Sequence, residues 1–309
     1  MTSGVFTIVV PCSTSNLGSG FDAVGLALGG PDFLVRATPG GSGLRVVSLS
    51  GEGVGRLARD SNNRVIQAAW AAARAAGAAP GDLRADLEMH SSIPLARGLG
   101  SSAAAAVGGA LVADRLLGGA VGEENVLKVA VEMEGHPDNV LPSLRGGLQV
   151  AVRDESGRVL SCPATLGAPI RAVLFIPDEE LATSAARAVL PREVPLRDAV
   201  FNLSRAALLV AALAAGRLDL LGEAMNDRLH QPARATLLPW LPALLAEARA
   251  AGAAGAALSG AGTTVCALCA PEMAPAVVRA LSQAAAARGV QGRTETVEVA
   301  VPGARVASA

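Results

Sequence analysis

Ile93-Pro94-Leu95-Ala96-Arg97-Gly98-Leu99-Gly100-Ser101-Ser102-Ala103-Ala104-Ala105 is a proline-started loop with two glycines that runs straight into an alanine-rich helix. Its physics is that of an anion site. Glycines let a backbone approach a phosphate closely, free N–H groups at a helix N-terminus point at it, and a serine hydroxyl caps the helix or ligates Mg²⁺. The same stretch also reads as an ordinary N-capped helix after a turn. Its Gly98-x-Gly100-x-x-Ala103 spacing mimics a dinucleotide fingerprint, but that fingerprint needs a buried strand running directly into the first glycine. Pro94 and Arg97 interrupt the approach here.

Outward from this loop, β-branched content and alternation predict strands over Val5 to Val10, Phe33 to Ala37, Leu44 to Leu49 and Leu83 to His90. The 3.6-residue period predicts helices over Arg64 to Ala76, Ser101 to Leu117 and Glu123 to Glu134. A strand-rich first half with helices on one side follows. The second half reads as a strand Ile170 to Ile176, a helix from Thr183 and a long apolar helix Asp198 to Ala215. Helices Asp219 to Asp227 and Pro239 to Ala251, strands Ala256 to Ser259 and Thr263 to Cys269, a helix Pro271 to Arg288 and a strand Thr294 to Val299 complete it. The polar, Gly- and Pro-containing stretch Asp154 to Gly167 is the expected boundary, giving an N-terminal domain over 1–160 and a C-terminal domain over 161–309.

Composition narrows the chemistry. The 309 residues are 51% hydrophobic, enough for a sizeable core. The longest uncharged stretch, Ala250 to Pro271, is interrupted by four glycines and is no membrane span. Met1 to Val10 lacks the basic start and long apolar run of a secretory signal, and the four cysteines are scattered, so a reduced, cytoplasmic setting is expected. A net charge of −1, 2% aromatics and no tyrosine argue against nucleic acid as a partner. Cys266-x-x-Cys269 lies on a strand, where i and i+3 face opposite ways, and is read as packing. Three histidines without an H-E-x-x-H make a histidine-held metal improbable. Lys128 is the sole lysine, so neither a Walker A loop nor the protein-kinase lysine motif can be written here.

Read in full, the segment from Pro94 resembles the P-x-x-x-G-L-G-S-S-A-A loop of the GHMP kinases, a family of small-molecule kinases. Val10-Pro11-Cys12-Ser13-Thr14-Ser15-Asn16-Leu17-Gly18-Ser19-Gly20-Phe21-Asp22 and Leu258-Ser259-Gly260-Ala261-Gly262-Thr263-Thr264-Val265 resemble that family's other two signatures. Glu134-Gly135-His136-Pro137-Asp138-Asn139-Val140, Thr183-x-x-x-Arg187-x-x-Leu190-Pro191 and Asp227-x-x-His230-Gln231-x-x-Arg234 are similar to words of the branch that phosphorylates L-homoserine. Departures are Cys12 where alanine is usual, Ala261 where serine is common, and Thr263 with Thr264 where G-P-T is common. They remove no charged ligand.

The resemblance implies an α+β fold of two domains, a ribosomal protein S5 domain 2-like N-terminal domain and a ferredoxin-like α+β C-terminal domain. It implies ATP and Mg²⁺ as cofactors, L-homoserine as acceptor and a homodimer. Nucleotide contacts then fall on Pro94, Leu95, Ala96, Arg97, Gly98, Leu99, Gly100, Ser101, Ser102, Ala103 and Ala104, with Asn62 and Asn63 at the adenine. A helix cap is the competing reading for the two asparagines. Glu134 and Ser102, or Ser101, are the implied Mg²⁺ ligands, and Glu132 is the nearest competing carboxylate. Arg187 and Arg234 match the positions that hold the substrate carboxylate. Asp22 is the partner for its ammonium, with Asn16 and Asn139 beside the reacting hydroxyl, and His136, Asp138, Thr183 and Gly260 completing the acceptor side. Another GHMP kinase acting on an uncarboxylated alcohol, a non-catalytic nucleotide-binding regulator on the same fold, and a nicotinamide-dependent oxidoreductase are the alternative readings.

Overall fold

The computed structural model describes residues 4–307. In chain order the first half comprises β1 (Phe6–Asn16), β2 (Gly20–Pro39), β3 (Leu44–Gly51), α1 (Arg64–Ala75), β4 (Ala85–Ser91), α2 (Ser101–Leu116), α3 (Gly122–Glu134), α4 (Val140–Arg145), β5 (Leu148–Arg153) and β6 (Val159–Ala164). The second half comprises β7 (Arg171–Pro177), α5 (Thr183–Ala188), α6 (Leu196–Ala215), α7 (Leu221–Ala224), α8 (Gln231–Arg234), α9 (Leu241–Ala250), β8 (Gly255–Leu258), β9 (Val265–Cys269), α10 (Ala274–Ala286), β10 (Gly292–Val299) and β11 (Arg305–Ala307). Mixed α+β architecture is as expected from the sequence.

All eleven strands belong to one sheet whose spine runs β11-β1-β2-β10-β7-β9-β8. The long strand β2 is its hub. It pairs with β1 along its length, with β4 through Phe33–Pro39, with β5 through Val24–Leu26, and with β10 at Leu28 and Gly29. Its pairing with β1 jumps register between Pro11 and Cys12, because Gly29-Gly30-Pro31 bulge out of the ladder. Only the Phe33–Ala37 portion is legible in the sequence, since glycine and proline read as strand breakers although here they form a bend within one strand.

Helix α2 packs on the β1–β2 face, and α1 packs on α2 and α3, where alanines allow close approach. Gly109 has no room for a Cβ against the carbonyl of Val65. Two apolar cores result, and strand alternation distributes side chains between them. On β7, Ala172, Leu174 and Ile176 enter the larger core and Val173 and Phe175 the smaller. On β9, Cys266 faces the larger core and Cys269 the smaller, and both are free thiols that burial pushes up, to about 12 and about 11. The opposite facing expected of Cys266-x-x-Cys269 is therefore observed.

Three differences from the sequence reading have a local cause. The polar stretch 154–167 is largely the turn and second strand of the β5–β6 hairpin, whose Cys162 and Leu160 face outward and so disguise a strand as a linker. The helix expected over Asp219 to Asp227 is one 3₁₀ turn followed by α7. It ends because the Asp227 carboxylate accepts from the N–H groups of Leu229, His230 and Gln231 instead. The strand expected from Thr263 starts at Val265, since Ser259 to Thr264 form a turn closed by the Ser259 N–H donating to the Thr264 carbonyl at 2.8 Å.

Candidate active site

A cavity of about 340 Å³ opens where the end of β1, the loop before α2 and the turn after β8 converge. These three segments are the glycine-containing words of the sequence, and they are interlocked by hydrogen bonds. Ser259 Oγ donates to the Gly98 carbonyl at 2.6 Å, the Thr264 N–H to the Arg97 carbonyl, and the Ser13 N–H to the Leu99 carbonyl. Gly98 and Gly100 both have positive φ. A Cβ at Gly98 would strike the Ser259 carbonyl, and one at Gly100 would strike Ser13 Oγ. The glycines are thus required by packing against protein backbone and side chain as well as by the left-handed conformation.

Helix α2 begins at the cavity wall with Gly100 as its cap residue and no side-chain cap. The amides of its first turn are consequently left for an anion. Neither Ser101 nor Ser102 caps the helix. Instead Ser102 Oγ donates to Glu134 Oε2 at 2.8 Å, across the mouth of the same cavity. Glu134 ends α3, where Gly135 terminates the helix with φ 86°, and its side chain is buried to 7% exposure. Arg64, at the start of α1, closes on Glu134 Oε1 and donates to the Met133 carbonyl at 2.9 Å. Glu132 is exposed on the outer side of α3 and takes no part.

Among the described residues no three histidine, cysteine or acidic side chains gather into a metal cage. One carboxylate with one hydroxyl beside an anion cradle is nevertheless the donor set that suits Mg²⁺, a cation that keeps waters and takes oxygens from phosphates. Glu134 and Ser102 fit that ion. Arg64 was not singled out from the sequence; its only signal is its place directly after the Asn63 cap.

The other end of the cavity is a buried polar network. Asn16, Asp22 and Ala96 line it with positive φ, a conformation that costs free energy outside glycine and must be held by surrounding bonds. Asn16 Nδ2 donates to the Gly260 carbonyl at 2.9 Å and its Oδ1 accepts from the Asp22 N–H at 3.0 Å. Asn139 Nδ2 donates to Ser15 Oγ and its Oδ1 accepts from Ser13 Oγ. Both amides therefore fasten the walls as well as facing the cavity.

Arg187 is joined to Asp22 by two hydrogen bonds of 3.0 Å, which raise its pKa. Arg234 is only 2% exposed. Its Nη1 donates to His230 Nδ1 at 3.1 Å and to the Gly260 carbonyl at 2.8 Å, and its Nε to the Ala186 carbonyl at 3.2 Å. Because Nδ1 of His230 accepts, its Nε2 is the protonated nitrogen and donates to the Gly18 carbonyl at 2.8 Å. Burial holds the His230 pKa down, in keeping with this neutral tautomer. The ring also stacks on Phe21. For Arg234, burial and then the neighbouring charge of Arg187 lower the pKa, against the opposing pull of Asp22, Asp227 and Asp138.

His136 and Asp138 are in direct contact through Nδ1 and Oδ1. Burial acts against the imidazolium, but the hydrogen bond and charge of Asp138 outweigh it and the His136 pKa is raised. Thr183 lines the cavity at the start of α5. A bracket not foreseen from the sequence ties the connection between β7 and α5 to the glycine loop. Glu180 accepts from Arg56 in two bonds of 2.7 Å and from Arg97 at 3.1 Å, and Arg56 draws its pKa down to about 2.

Of the residues chosen from sequence, Pro94 to Ser102, Glu134, Asn16, Asp22, His136, Asp138, Asn139, Thr183, Arg187, Arg234 and Gly260 line this one cavity. Four do not. Ala103 and Ala104 are fully buried in the α2 core, because the helix turns their faces inward one residue after the cradle. Asn63 caps α1, its Oδ1 accepting from the Val65 N–H and its Nδ2 donating to the Ala58 carbonyl at 2.7 Å. Asn62 is exposed and bonded to Asp60. A larger hollow of about 1010 Å³ between α3 and the β5–β6 hairpin has Lys128, Arg145, Arg153 and Arg158 facing Glu123, Glu124 and Glu132, and of the residues weighed for the site it contains only the competing carboxylate Glu132. Its charges neutralise one another across an open surface, whereas the smaller cavity combines a helix N-terminus with enclosed charges.

Comparison with known proteins agrees with the motif reading. The family model for the GHMP kinases N terminal domain matches residues 63–147, and that for the GHMP kinases C terminal matches residues 209–287. A homoserine kinase from Thermus thermophilus is 45% identical over 93% of this chain and 94% of its own length. One from Moorella thermoacetica is 44% identical over 89% and 92%. The crystal structure of homoserine kinase from Cytophaga hutchinsonii superposes with a TM-score of 0.86 at 27% identity, over 99% of this chain and 98% of that one. Mevalonate kinase from L. major, at 19% identity and a TM-score of 0.70, shares the fold. With both halves matched by family models and with relatives of this similarity along nearly the whole length, the chain belongs to the GHMP kinase family.

Proposed function

We infer that the cavity transfers the terminal phosphoryl group of ATP to the side-chain hydroxyl of L-homoserine, giving O-phospho-L-homoserine and ADP, a step toward threonine. The observation that carries this reading is the pairing, in one cavity, of an uncapped helix N-terminus with two guanidiniums, one of them buried. The first suits a phosphate chain and the second the carboxylate of an amino acid. Relatives 44 and 45% identical over 89 and 93% of the chain bear the name of that activity. An uncarboxylated alcohol would offer no anion to the guanidiniums of Arg187 and Arg234 that line the cavity.

In this proposal the amides of Ser101 and Ser102 and the loop from Pro94 cradle the triphosphate. Glu134 and Ser102 hold Mg²⁺, which when bound neutralises charge on the phosphoryl oxygens. Arg187 and Arg234 take the acceptor's carboxylate, and Asp22 its ammonium. Asn16 and Asn139, fixed at both ends of their amides, position the hydroxyl in line. An amide takes no proton near neutrality, so the reaction runs without a protein base at these two positions. The proton leaves late, to phosphate or water. A homodimer and a cytoplasmic setting belong to the same proposal, the latter in line with four free cysteines.

An ADP-release assay across homoserine, mevalonate, galactose and shikimate tests the assignment. Turnover is expected with homoserine at least about tenfold above galactose, which lacks a carboxylate, the difference one lost charge-assisted hydrogen bond makes, and above mevalonate and shikimate, which carry a carboxylate but no ammonium for Asp22. Equal or faster turnover of mevalonate or galactose would overturn it.

A further inference from the structure

The helix α6 spans Leu196–Ala215 and is apolar enough along its length to cross a membrane, yet it lies on the surface with only 22% of its most apolar window buried. Eleven large hydrophobic side chains are exposed among the described residues, and four of them crowd into Val194, Leu196, Val200 and Leu203. Leu196 is 79% exposed and Leu203 72%. Leu196, Val200, Leu203, Ala207, Val210 and Ala214 recur at alternating spacings of four and three residues, the seam of a coiled coil rather than the broader stripe of a core helix. The opposite face, with Asn202, Leu209, Ala212 and Leu213, is the one packed on the protein, and Val210, at the seam's edge, is half-buried against that core.

This seam is complementary to itself when reversed. About a two-fold axis at the level of Arg205, Leu196 meets Ala214, Val200 meets Val210, and Leu203 meets Ala207. Large side chains then oppose small ones at both ends, as knobs-into-holes packing requires, and the antiparallel arrangement also suits the helix dipoles. The same register carries the exposed Glu193 before one helix toward Arg217, itself bonded to Asp219, after the other. We propose that α6 is the contact between two copies of this chain, paired antiparallel along this seam.

A lipid surface fits less well. The seam is narrow, its second half is alanine apart from Val210, and Phe201 beside it is covered by the guanidiniums of Arg205 and Arg228 at 3.3 and 3.9 Å. The helix is also anchored, since Asn202 Nδ2 donates to Asp227 Oδ1 at 2.8 Å and its Oδ1 accepts from the Arg228 N–H. A helix pair is small for an interface, so association should be reversible on dilution.

Sedimentation velocity over a dilution series tests the proposal, which rests on the homodimer inferred above. The unaltered chain should sediment at twice its 30.8 kDa mass and Leu203→Glu and Leu196→Lys at once that mass, with unchanged far-ultraviolet circular dichroism. In a Cys162→Ser background, Leu196→Cys combined with Ala214→Cys should oxidise to a covalent dimer, while Leu196→Cys alone should not. An unaltered chain that is monomeric throughout sinks both the dimer and the seam. Dimers that persist in both charged variants, or a cysteine pair that does not cross-link, sink the seam alone. Binding of the monomeric chain to phosphatidylcholine–phosphatidylglycerol vesicles, abolished by Leu203→Glu, assigns the face to lipid and overturns the proposal as well.

Discussion

The two ends of the cavity are built differently. The phosphate end is made by one continuous run, Pro94 to Ser102, and its binding groups are backbone amides. The acceptor end is made by side chains from β1, the start of β2, the start of α4, α5 and α8, and nearly all of them are already bonded to protein. A backbone cradle needs only the right turn and a helix start, and it reads any phosphate. A side-chain network reads one acceptor, but each member depends on several others. Substitutions at the first end should therefore act on turnover, and those at the second on affinity and stability together.

The largest expected effect is at the seam between the ends. Glu134→Gln should lower kcat by at least about 10²-fold, as losing a metal-holding charge worth several kcal/mol implies, and the loss should be partly relieved by raised Mg²⁺. Glu132→Gln, on the outer side of the helix, should be nearly silent. A dead Glu132 variant would transfer the role and erase the distinction.

Next is Arg234→Ala, which should raise KM for homoserine roughly 10- to 100-fold with little change for ATP, in line with about 1.5–3 kcal/mol for a hydrogen bond to a charged group. It should also lower the melting midpoint, because His230 Nδ1 and the Gly260 carbonyl lose a buried donor. Arg187→Ala should raise KM by less, being more exposed and paired to Asp22. Equal weakening of ATP would show that the arginines serve the phosphate end.

Smaller still is the effect expected of Asp22→Asn and Asp138→Asn on kcat at saturating homoserine, under about 10²-fold each. A greater fall with KM unmoved would identify a general base. The smallest effect is one of pH. The folded pKa of His136 lies above its unfolded value near 6.5. Its pairing with Asp138 therefore adds stability in full below 6.5, and that increment is lost as pH rises through the folded value. The melting midpoint of the unaltered chain should exceed that of His136→Gln in acid and converge with it in alkali. A gap that widens with pH would mean that the neutral imidazole is the stabilising form.

The contrast also explains what the sequence disclosed. Gly98 to Ser102 was legible because its chemistry is local, and the α2 start follows from the same residues. Arg187 and Arg234 were found only through the words around them, since nothing in an arginine's spacing says that it is 2% exposed. Arg64 and the Glu180 bracket went unseen because their partners are distant in the chain, Glu134 for one and Arg56 and Arg97 for the other. Asn63 shows the converse. A capping pattern is local, and the cap is formed.

The interlocking of the glycine loop with the turn after β8 bears on how the protein is made. The carbonyls of Arg97 and Gly98 find their donors in Thr264 and Ser259. The first strand completes its outer ladder only with Arg305–Ala307. During synthesis, the phosphate cradle emerges long before the residues that set its shape, and remains unfinished until the second half has left the ribosome. Pairings this far apart in sequence are slow to form. A nascent or severed first half should therefore bind nucleotide poorly, and the two halves supplied as separate chains should regain the cradle only by assembling.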